Sequence, residues 1–357
     1  MPTLKIAAAK LADDRPRRTT QRYPVFSSIC GVVMVLLLLE LAFRPWGDQL
    51  SPYDMRPVSE DSLNSPVRTV RFFIEGIATS HFTPSRARLT GNPVLPNAPY
   101  AVILGDSFVE ALQVNDRQTM GSDLERTARA AGYPLNVRQY GWSGDSPIHY
   151  AAVAPQVLQK WSPQMVIVVT NWDDWDKSAL DSHYAWAALN DGNLTVHLKN
   201  TAPDQSFKAR LWRVSRVTAL GEQTLHRFAR DLAPAFQRKS TSNAAVKESS
   251  PEQVRATLEL LQQAYGDRLF VIYAAEPGLR GTAPEPTESL VLAQCTAVNV
   301  RCAGTGPDWI HARDSGAYLA SGFSNTDPGK GHYNPAGHRL FSDLIWNELQ
   351  SRRAGGD

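Results

Sequence analysis

From Ala98 onward the chain repeats one pattern: a short apolar run, a turn, and a stretch with helical spacing. Such alternation is typical of a parallel β-sheet with helices on both faces. The third run, QMVIVVTN, is apolar almost throughout, which favours a strand that is buried on both faces. The sequence therefore predicts an α/β fold, and in such folds the working residues gather at the carboxyl ends of the strands. The strands are predicted at 98–105, 135–141, 164–171, 268–277 and 299–302.

A long insertion, about residues 175–250, separates the third and fourth predicted strands. Its NDGNLTVHL stretch combines a turn signal with alternating residues, which predicts a β-hairpin. Segment 206–237 has helical spacing, and 238–250 has the polar composition of a mobile linker. We expect the insertion to form a helical cover on the sheet; a substrate lid and a membrane-surface contact are the alternatives.

Short polar blocks follow three of the predicted strands, and a fourth block precedes the last helix. They are GDS at 105–107, YGWSG at 140–144, TNWDD at 170–174 and DPGKGHYNPAGH at 327–338. Because parallel strands end at one edge of a sheet, Ser107, Gly141 and Asn171 are expected to lie close together. A Gly-Asp-Ser turn alone would also suit a helix cap. The four blocks together favour a nucleophile at Ser107.

These blocks resemble those of the SGNH, or GDSL-type, hydrolase superfamily. The resemblance covers about residues 98–350 and is most specific in GDSF at 105–108 and in the His-x-Asn-x-x-Gly-His ending at 332–338. The phrase LGDSFVEALQVNDRQTMGSDLE is similar to a branch found as single-pass, membrane-anchored proteins of bacterial cell envelopes. The resemblance implies a three-layer flavodoxin-like fold and an esterase, lipase, carbohydrate deacetylase or O-acyltransferase activity.

The resemblance also implies roles for individual residues. Ser107 would be the nucleophile, and His332 would be the base that takes its proton. The Ser107 amide, the Gly141 amide and the Asn171 side chain would form the oxyanion hole. An Asp would orient the imidazole, and no metal or cofactor is required.

The acid departs from the family's pattern, because Lys330 and Gly329 occupy the positions where the family usually carries it. The nearest upstream acid is Asp327, and the glycines of this loop could bring it round to His332. We therefore assign Asp327 as the triad acid. A backbone carbonyl and the more distant Asp314 are the alternatives.

Two tryptophans adjoin the predicted oxyanion donors. Trp142 follows Gly141, and Trp172 follows Asn171, where the family usually has an Asp. Either ring could form an aromatic wall for a sugar, with ordinary core packing as the alternative for both. His338, inside the last helix, is the alternative base.

Ahead of this domain the chain has a basic stretch and an apolar run. Residues 1–24 carry six Lys or Arg against two Asp, and residues 25–43 contain one charge, Glu40. A helix over the apolar run would span roughly 29 Å, close to the hydrocarbon thickness of a bilayer. We expect a transmembrane anchor in a bacterial inner membrane, with the basic tail in the cytoplasm and the catalytic domain in the periplasm. A signal peptide and a buried helix are the alternatives.

Residues 44–97 are rich in Pro, Ser and Arg, and we expect a connector there, laid over the surface of a hydrolase-like domain at 98–353. Cys295 and Cys302 could form a disulfide in an oxidising compartment, or remain as two buried thiols. Their spacing does not resemble a zinc site, which needs three or four ligands.

A formal net charge of +2 is far from the concentrated basic excess of a nucleic-acid-binding protein. We expect a serine esterase or O-acyltransferase that acts through an acyl-Ser107 intermediate. Its substrates would be acyl, chiefly acetyl, esters of cell-envelope or exported polysaccharide. The alternatives are a non-catalytic scaffold that binds a glycan or a membrane acyltransferase partner, and a lipase or thioesterase.

Overall fold

The computed structural model describes residues 24–43, 67–73, 75–175, 177–182, 185–190, 193–199, 250–276 and 285–355, with isolated positions 58, 215, 217, 221 and 279 between them. The chain divides into two compact units, Met1–Pro45 and Trp46–Asp357.

The first unit contains helix α1, Pro24–Phe43, which covers the run in which we expect an anchor. Its large apolar side chains from Ile29 to Leu41 are exposed. Among the described helices, none combines the length and the hydropathy that a bilayer crossing requires. The anchor therefore stays a prediction from the sequence, and the predicted tail up to residue 23 lies outside the described residues.

The second unit is built on an eight-stranded sheet with the spatial order β1-β2-β3-β5-β4-β6-β9-β10. Its strands are β1 Arg68–Phe72, β2 Ala78–Phe82, β3 Ala87–Arg88, β4 Tyr100–Gly105, β5 Asn136–Gly141, β6 Met165–Thr170, β9 Leu269–Tyr273 and β10 Cys302–Gly304. The strands β5-β4-β6-β9-β10 pair in parallel. Numbered among themselves along the chain, they have the order 2-1-3-4-5 of flavodoxin-type doubly wound sheets. The predicted α/β class with a parallel sheet is confirmed.

Helices cover both faces of this sheet. They are α2 Ser107–Glu110, α3 Met120–Ala130, α4 Pro147–Ala152, α5 Ala154–Trp161, α6 Pro251–Tyr265, α7 Pro286–Ala297, α8 Gly306–Asp314 and α9 Pro335–Ala354. Alternate residues of β4 enter two different apolar clusters: Val102 packs with side chains of α4 to α7, and Ile103 packs with α3, α8 and α9. A strand buried on both faces explains the unbroken apolar runs of the sequence.

The spacing of residues 148–159 predicts one helix, but the structure divides this stretch into α4 and α5 at Val153. Pro155 lies in the first turn of α5, where its missing N–H leaves no intrahelical hydrogen bond unmade. Inside one continuous helix the same proline would remove a hydrogen bond and clash with the preceding turn.

The segment expected to be a surface connector contributes three strands instead. β1, β2 and β3 form an antiparallel meander, and β3 joins the main sheet by antiparallel pairing with β5. The alternation in β1 and β2 is weak because polar side chains interrupt it, and β3 has two residues only. Tertiary burial compensates, since Phe82, Ala87 and Arg88 are completely buried.

The hairpin expected in the insertion is confirmed as β7 Ala185–Asn190 paired with β8 Asn193–Leu198. It packs on Ile148 of α4 through Ala185 and Ala187. The helical cover expected at 206–237 lies outside the described residues, apart from isolated positions. At the far edge of the sheet a disulfide joins Cys295 of α7 to Cys302 of β10, as the sequence allowed.

Candidate active site

The turn from β4 into α2 places Ser107 at the carboxyl edge of the sheet. Asp106 is the N-cap of α2, and its Oδ1 accepts the N–H of Phe108 at 2.9 Å. Ala111 ends this one-turn helix in the left-handed conformation, with φ of 52°. Asp106 therefore has a structural role as a helix cap, and Ser107, half-buried, begins the helix.

His332 reaches Ser107 from the loop before α9. Its Nε2 lies 2.9 Å from Ser107 Oγ. Asn334 fixes the start of α9, because its Oδ1 accepts the N–H groups of Ala336 at 2.9 Å and Gly337 at 3.2 Å. The structure thus brings together two residues that are 225 positions apart in the sequence.

The other imidazole nitrogen contacts Glu75. His332 Nδ1 lies 2.5 Å from Glu75 Oε2, and the backbone N–H of His332 donates to Glu75 Oε1 at 2.8 Å. The Glu75 side chain is only 9% exposed and lies between β1 and β2. Ser107, His332 and Glu75 therefore form a continuous Ser-His-Glu series, the arrangement of a serine nucleophile with its base and orienting acid.

The assignment of Asp327 as the acid is wrong. Its carboxylate is 75% exposed and pairs with Lys330 at 3.3 Å. Gly331, with φ of 77°, turns the chain toward the site, but Glu75 occupies the space beside it, and a Cβ at Gly331 would overlap Glu75 Oε1. The reserve acid, Asp314, is exposed and pairs with Arg313.

Opposing influences set the pKa of His332. Burial lowers it, but the hydrogen bond and the charge of Glu75 raise it, and so do the charges of Asp106 and Glu276. The raising influences prevail, so the pKa of His332 lies above its ordinary value. The imidazole is thus prepared to accept a proton from Ser107.

Glu276 follows β9 at the same edge of the sheet. Its backbone N–H donates to Glu285 Oε1 at 2.6 Å. Desolvation raises the pKa of its carboxyl to about 7, against the attraction of His332, and the charges of Glu285, Asp106 and Asp173 add to the rise. Glu276 therefore acts on His332 through space, whereas Glu75 acts by contact.

Asn171 is held by three hydrogen bonds at the end of β6. Its N–H donates to Asp174 Oδ2, its Oδ1 accepts the N–H of Asp173, and its Nδ2 donates to Asp106 Oδ2, each at 2.7 Å. A primary amide nitrogen carries two hydrogens. One hydrogen bond to Asp106 thus orients the amide and leaves the second hydrogen to be directed at a substrate oxygen.

Two carboxyls are buried beneath this amide. Burial raises the pKa of Asp106 to about 6, although the N–H of Phe108, the charge of His332, the N–H of Ser107 and the amide of Asn171 lower it. Burial also raises the pKa of Asp174 well above its ordinary value, and the charge of Asp106 adds to this. The donors around Asp106 therefore support the ionised form of a carboxyl that burial disfavours.

Gly141 has a different function from the one expected. The N–H of Trp142 donates to Gly105 O at 2.9 Å, so the neighbouring N–H of Gly141 points to the other side of β5, away from β4. A Cβ at Gly141 would overlap the backbone of Glu110, so this glycine allows α2 to lie directly on β5. Gly144 lies farther along, in the exposed turn after β5, with φ of 72°.

The two tryptophans at the strand ends differ. Trp142 is 2% exposed, with its ring stacked on Tyr140 at 5.7 Å and edge-on to His149 at 4.8 Å. It is a core residue, so the expected sugar wall cannot include it. Trp172 is 51% exposed and follows Asn171 on a 3₁₀ turn, Trp172–Trp175.

His338, the alternative base, is fully enclosed at the start of α9. Burial lowers its pKa to about 3, so it is neutral and remains so throughout the physiological range. Elsewhere in the described ranges, no group of three or more His, Cys, Asp or Glu side chains is arranged to hold a metal ion.

No family model matches this chain, and no curated protein matches it. Several solved structures do match. A lipase/acylhydrolase from Enterococcus faecalis is 14% identical, with a TM-score of 0.39 over 71% of this chain and 96% of that chain. A catalytic mutant of the acetylxylan esterase Axe2 from Geobacillus stearothermophilus is 10% identical, with a TM-score of 0.39 over 72% and 96%.

A two-domain esterase active on acetylated mannans is 12% identical, with a TM-score of 0.35 over 71% of this chain and 49% of that chain. Identities of 10–14% and TM-scores of 0.35–0.39 leave the function to be inferred from the site.

Proposed function

We propose that this protein is a serine esterase or O-acyltransferase that acts through an acyl-Ser107 intermediate. The observation that carries the proposal is the position of His332, with Nε2 at 2.9 Å from Ser107 Oγ and Nδ1 at 2.5 Å from Glu75 Oε2. A hydroxyl is a weak nucleophile until a base removes its proton, and this contact provides the base.

In the first half-reaction Ser107 Oγ attacks the carbonyl carbon of an ester while its proton moves to His332 Nε2. The carboxylate of Glu75 accepts the Nδ1–H bond and stabilises the imidazolium. The carbonyl oxygen becomes an oxyanion, for which the Ser107 N–H and the Asn171 Nδ2–H are the proposed donors. The alcohol then leaves with the proton from His332, and the acyl group remains on Ser107.

In the second half-reaction an acceptor attacks the acyl-Ser107 carbonyl, and His332 again removes its proton. Water as the acceptor gives hydrolysis, and a sugar hydroxyl gives acyl transfer. Collapse of the tetrahedral intermediate releases the acid or the new ester and returns the proton to Ser107 Oγ. Both outcomes use the same three residues, so the acceptor alone separates an esterase from a transferase.

For the substrate we propose acyl, chiefly acetyl, esters of cell-envelope or exported polysaccharide. The exposed ring of Trp172, next to Asn171, supports a sugar over a lipid, because an aromatic face offers flat apolar contact with polar groups at its rim. The contact between Glu75 and His332 supports an enzyme over the non-catalytic scaffold, because it gives the imidazole an orienting acid.

The location is proposed from the sequence alone. The basic tail and the apolar run at 25–43 favour an inner-membrane anchor with the catalytic domain in the periplasm, near a membrane acyltransferase partner. Alkaline extraction of membranes from cells that express the full chain tests this, since release into the soluble fraction would contradict an anchor.

The proposed activity is tested by labelling the full-length chain with a fluorophosphonate probe. We expect labelling of the wild type and none of Ser107→Ala. Ser143→Ala is the matched control, because Ser143 lies at the same edge of the sheet and bonds Glu110 rather than His332. A folded wild type that does not label would contradict the proposal. Product analysis with an aryl acetate, with and without an oligosaccharide acceptor, then separates hydrolysis from transfer.

A further inference from the structure

Glu75 lies in a loop rather than in a regular element. The last residue pair of the β1–β2 ladder is Phe72 with Ala78, so Glu75 lies beyond the paired part of the two strands. Fixing a loop residue in one conformation costs about 1–2 kcal/mol in entropy. A carboxylate that must stay within hydrogen-bond distance of His332 therefore needs support from elsewhere in the fold.

Asn325 supplies that support from the loop that also carries His332. Its Oδ1 accepts the N–H of Gly76 at 2.8 Å. Its Nδ2 donates to Phe73 O at 3.1 Å and to Gly76 O at 3.3 Å. One side chain thus bonds the backbone on both sides of Glu75, across 249 positions of sequence.

The surrounding geometry leaves the loop little freedom. Gly76 has φ of 73°, and a Cβ there would overlap Gln113 O and press on the ring of Phe323. Phe323 is held in turn, because its N–H donates to Thr326 Oγ1 at 2.9 Å. Asn325 lies between these two loop residues, so the shape of its own loop fixes where its amide can reach.

We propose that Asn325 is a positioning residue that holds Glu75 against His332. The inference rests on the proposed function, because it concerns the acid of the same triad. The hydrogen bonds of Asn325 go to Phe73 and Gly76, on either side of Glu75, so its effect on catalysis passes through Glu75. The catalytic acid is thereby set by a contact between the segment that precedes the motif-bearing core and the loop that precedes its last helix.

The test compares Asn325→Ala with Asp327→Ala in the full-length chain, since the exposed Asp327 side chain bonds Lys330 of the same loop. Both variants remove a hydrogen-bonding side chain from one loop, but only the first frees the backbone around Glu75. For Asn325→Ala we expect kcat/KM for a small aryl ester to fall roughly tenfold to 10²-fold, the cost of misplacing a catalytic group by about 1 Å. KM should change little, and the acid limb of the pH profile should move to lower pH as His332 loses its carboxylate neighbour.

A double variant distinguishes positioning from general loosening. If Asn325 acts through Glu75, adding Asn325→Ala to Glu75→Gln should lower kcat/KM by less than twofold further. Should Asn325→Ala fail to fold, Asn325→Asp gives a second reading, because it keeps the acceptor for Gly76 while losing both donor bonds. Its loss of kcat/KM should likewise vanish in the Glu75→Gln background.

Two results would overturn the inference. One is an Asn325→Ala variant whose pH profile and labelling rate match those of Asp327→Ala, and the other is full additivity with Glu75→Gln. Failure of the proposed function gives a different result, since the wild type itself would then not label with the fluorophosphonate. The two failures are therefore distinguishable in one series of measurements.

Discussion

The parallel core and the antiparallel meander β1–β3 contribute to the same site by different means. From the core come Ser107 at the end of β4 and Asn171 at the end of β6, each next to its strand and each in a recognisable polar block. From the meander comes Glu75, in a loop without a motif and at the far end of the sequence from its partner His332. The core residues are fixed by strand ends, whereas the meander residue is fixed by side-chain contacts.

The difference follows from what each group has to do. A nucleophile and its oxyanion donors must converge on one carbonyl to within a fraction of an ångström, which favours rigid neighbouring strand ends. The acid needs only to present a carboxylate oxygen to Nδ1 of His332. Any element that reaches that nitrogen can supply it, so the acid is the member of the triad that is free to move to another part of the chain.

The strongest test of this comparison neutralises, one at a time, the two carboxylates that could act as the triad acid. Glu75→Gln should lower kcat by about 10⁴-fold, because an amide in place of the carboxylate favours the wrong imidazole tautomer and leaves the imidazolium uncompensated. Asp327→Asn should have no measurable effect, since that carboxylate is exposed and pairs with Lys330. Steady-state kinetics with a small ester measures both.

The reverse result, a large loss with Asp327→Asn and a small one with Glu75→Gln, would return the acid to the loop before α9. Thermal unfolding of Glu75→Gln checks that the loss lies in catalysis. An unchanged melting temperature with lost activity is expected if the meander remains in the sheet.

The next largest effect is on stability, and it separates the two tryptophans that follow β5 and β6. Trp142→Ala should lower the free energy of unfolding by about 3–5 kcal/mol, because it empties a buried site between Tyr140 and Tyr150. Trp172→Ala, on an exposed ring, should stay within about 0.5 kcal/mol. Equilibrium denaturation of the two variants measures this.

For substrate binding we expect the exposed tryptophan, Trp172, to be the one that matters. Trp172→Ala is expected to raise KM for an acetylated oligosaccharide and to leave kinetics with a small aryl ester unchanged. An unchanged KM for the oligosaccharide would exclude Trp172 from the substrate surface.

The sequence predicted well those regions whose residue pattern follows directly from their burial in the fold. The runs that became β4, β5, β6 and β9 are apolar because both faces of those strands are buried, so pattern and burial coincide. The position of Asn334 at the start of α9 was likewise readable, since its side chain caps the residues that directly follow it.

The sequence failed where a residue is fixed by distant partners. Glu75 has no neighbouring motif, and its one local signal is the glycine after it, which is also found in ordinary turns. Arg88 is completely buried in a two-residue strand, where it donates to Glu110 O at 2.7 Å, a contact that no local periodicity encodes. Gly141 is a third case, because a glycine at a strand end can either donate its N–H to a substrate or allow a helix to pack closely. The sequence does not distinguish these roles, and the packing of α2 on β5 shows the second.

Removing the amide at the end of β6 should have a smaller kinetic effect than removing the acid. Asn171→Ala is expected to lower kcat by about 10²–10³-fold, the usual cost of losing one oxyanion donor, with little change in KM. The hydrogen bond to Asp106 is lost at the same time, so the pKa of that buried carboxyl should rise further. Pre-steady-state acylation with an aryl ester measures the loss, and an unchanged kcat with an altered KM would contradict a donor role.

The smallest expected effect is that of removing Glu276, a carboxylate at the edge of the parallel core, and it is compared with that of removing Glu75 of the meander. Glu276→Gln removes a charge that raises the pKa of His332 without touching it, so the pKa should fall and the acid limb of kcat/KM should move to lower pH. The shift should be smaller than that of Glu75→Gln, because Glu75 bonds His332 directly whereas Glu276 acts on it through space. Residue Glu276 is exposed, so salt with a screening length of about 8–10 Å should reduce the shift further. A shift as large as that of Glu75→Gln, or one toward higher pH, would mean that contact with the imidazole is not what sets the acid apart from its neighbours.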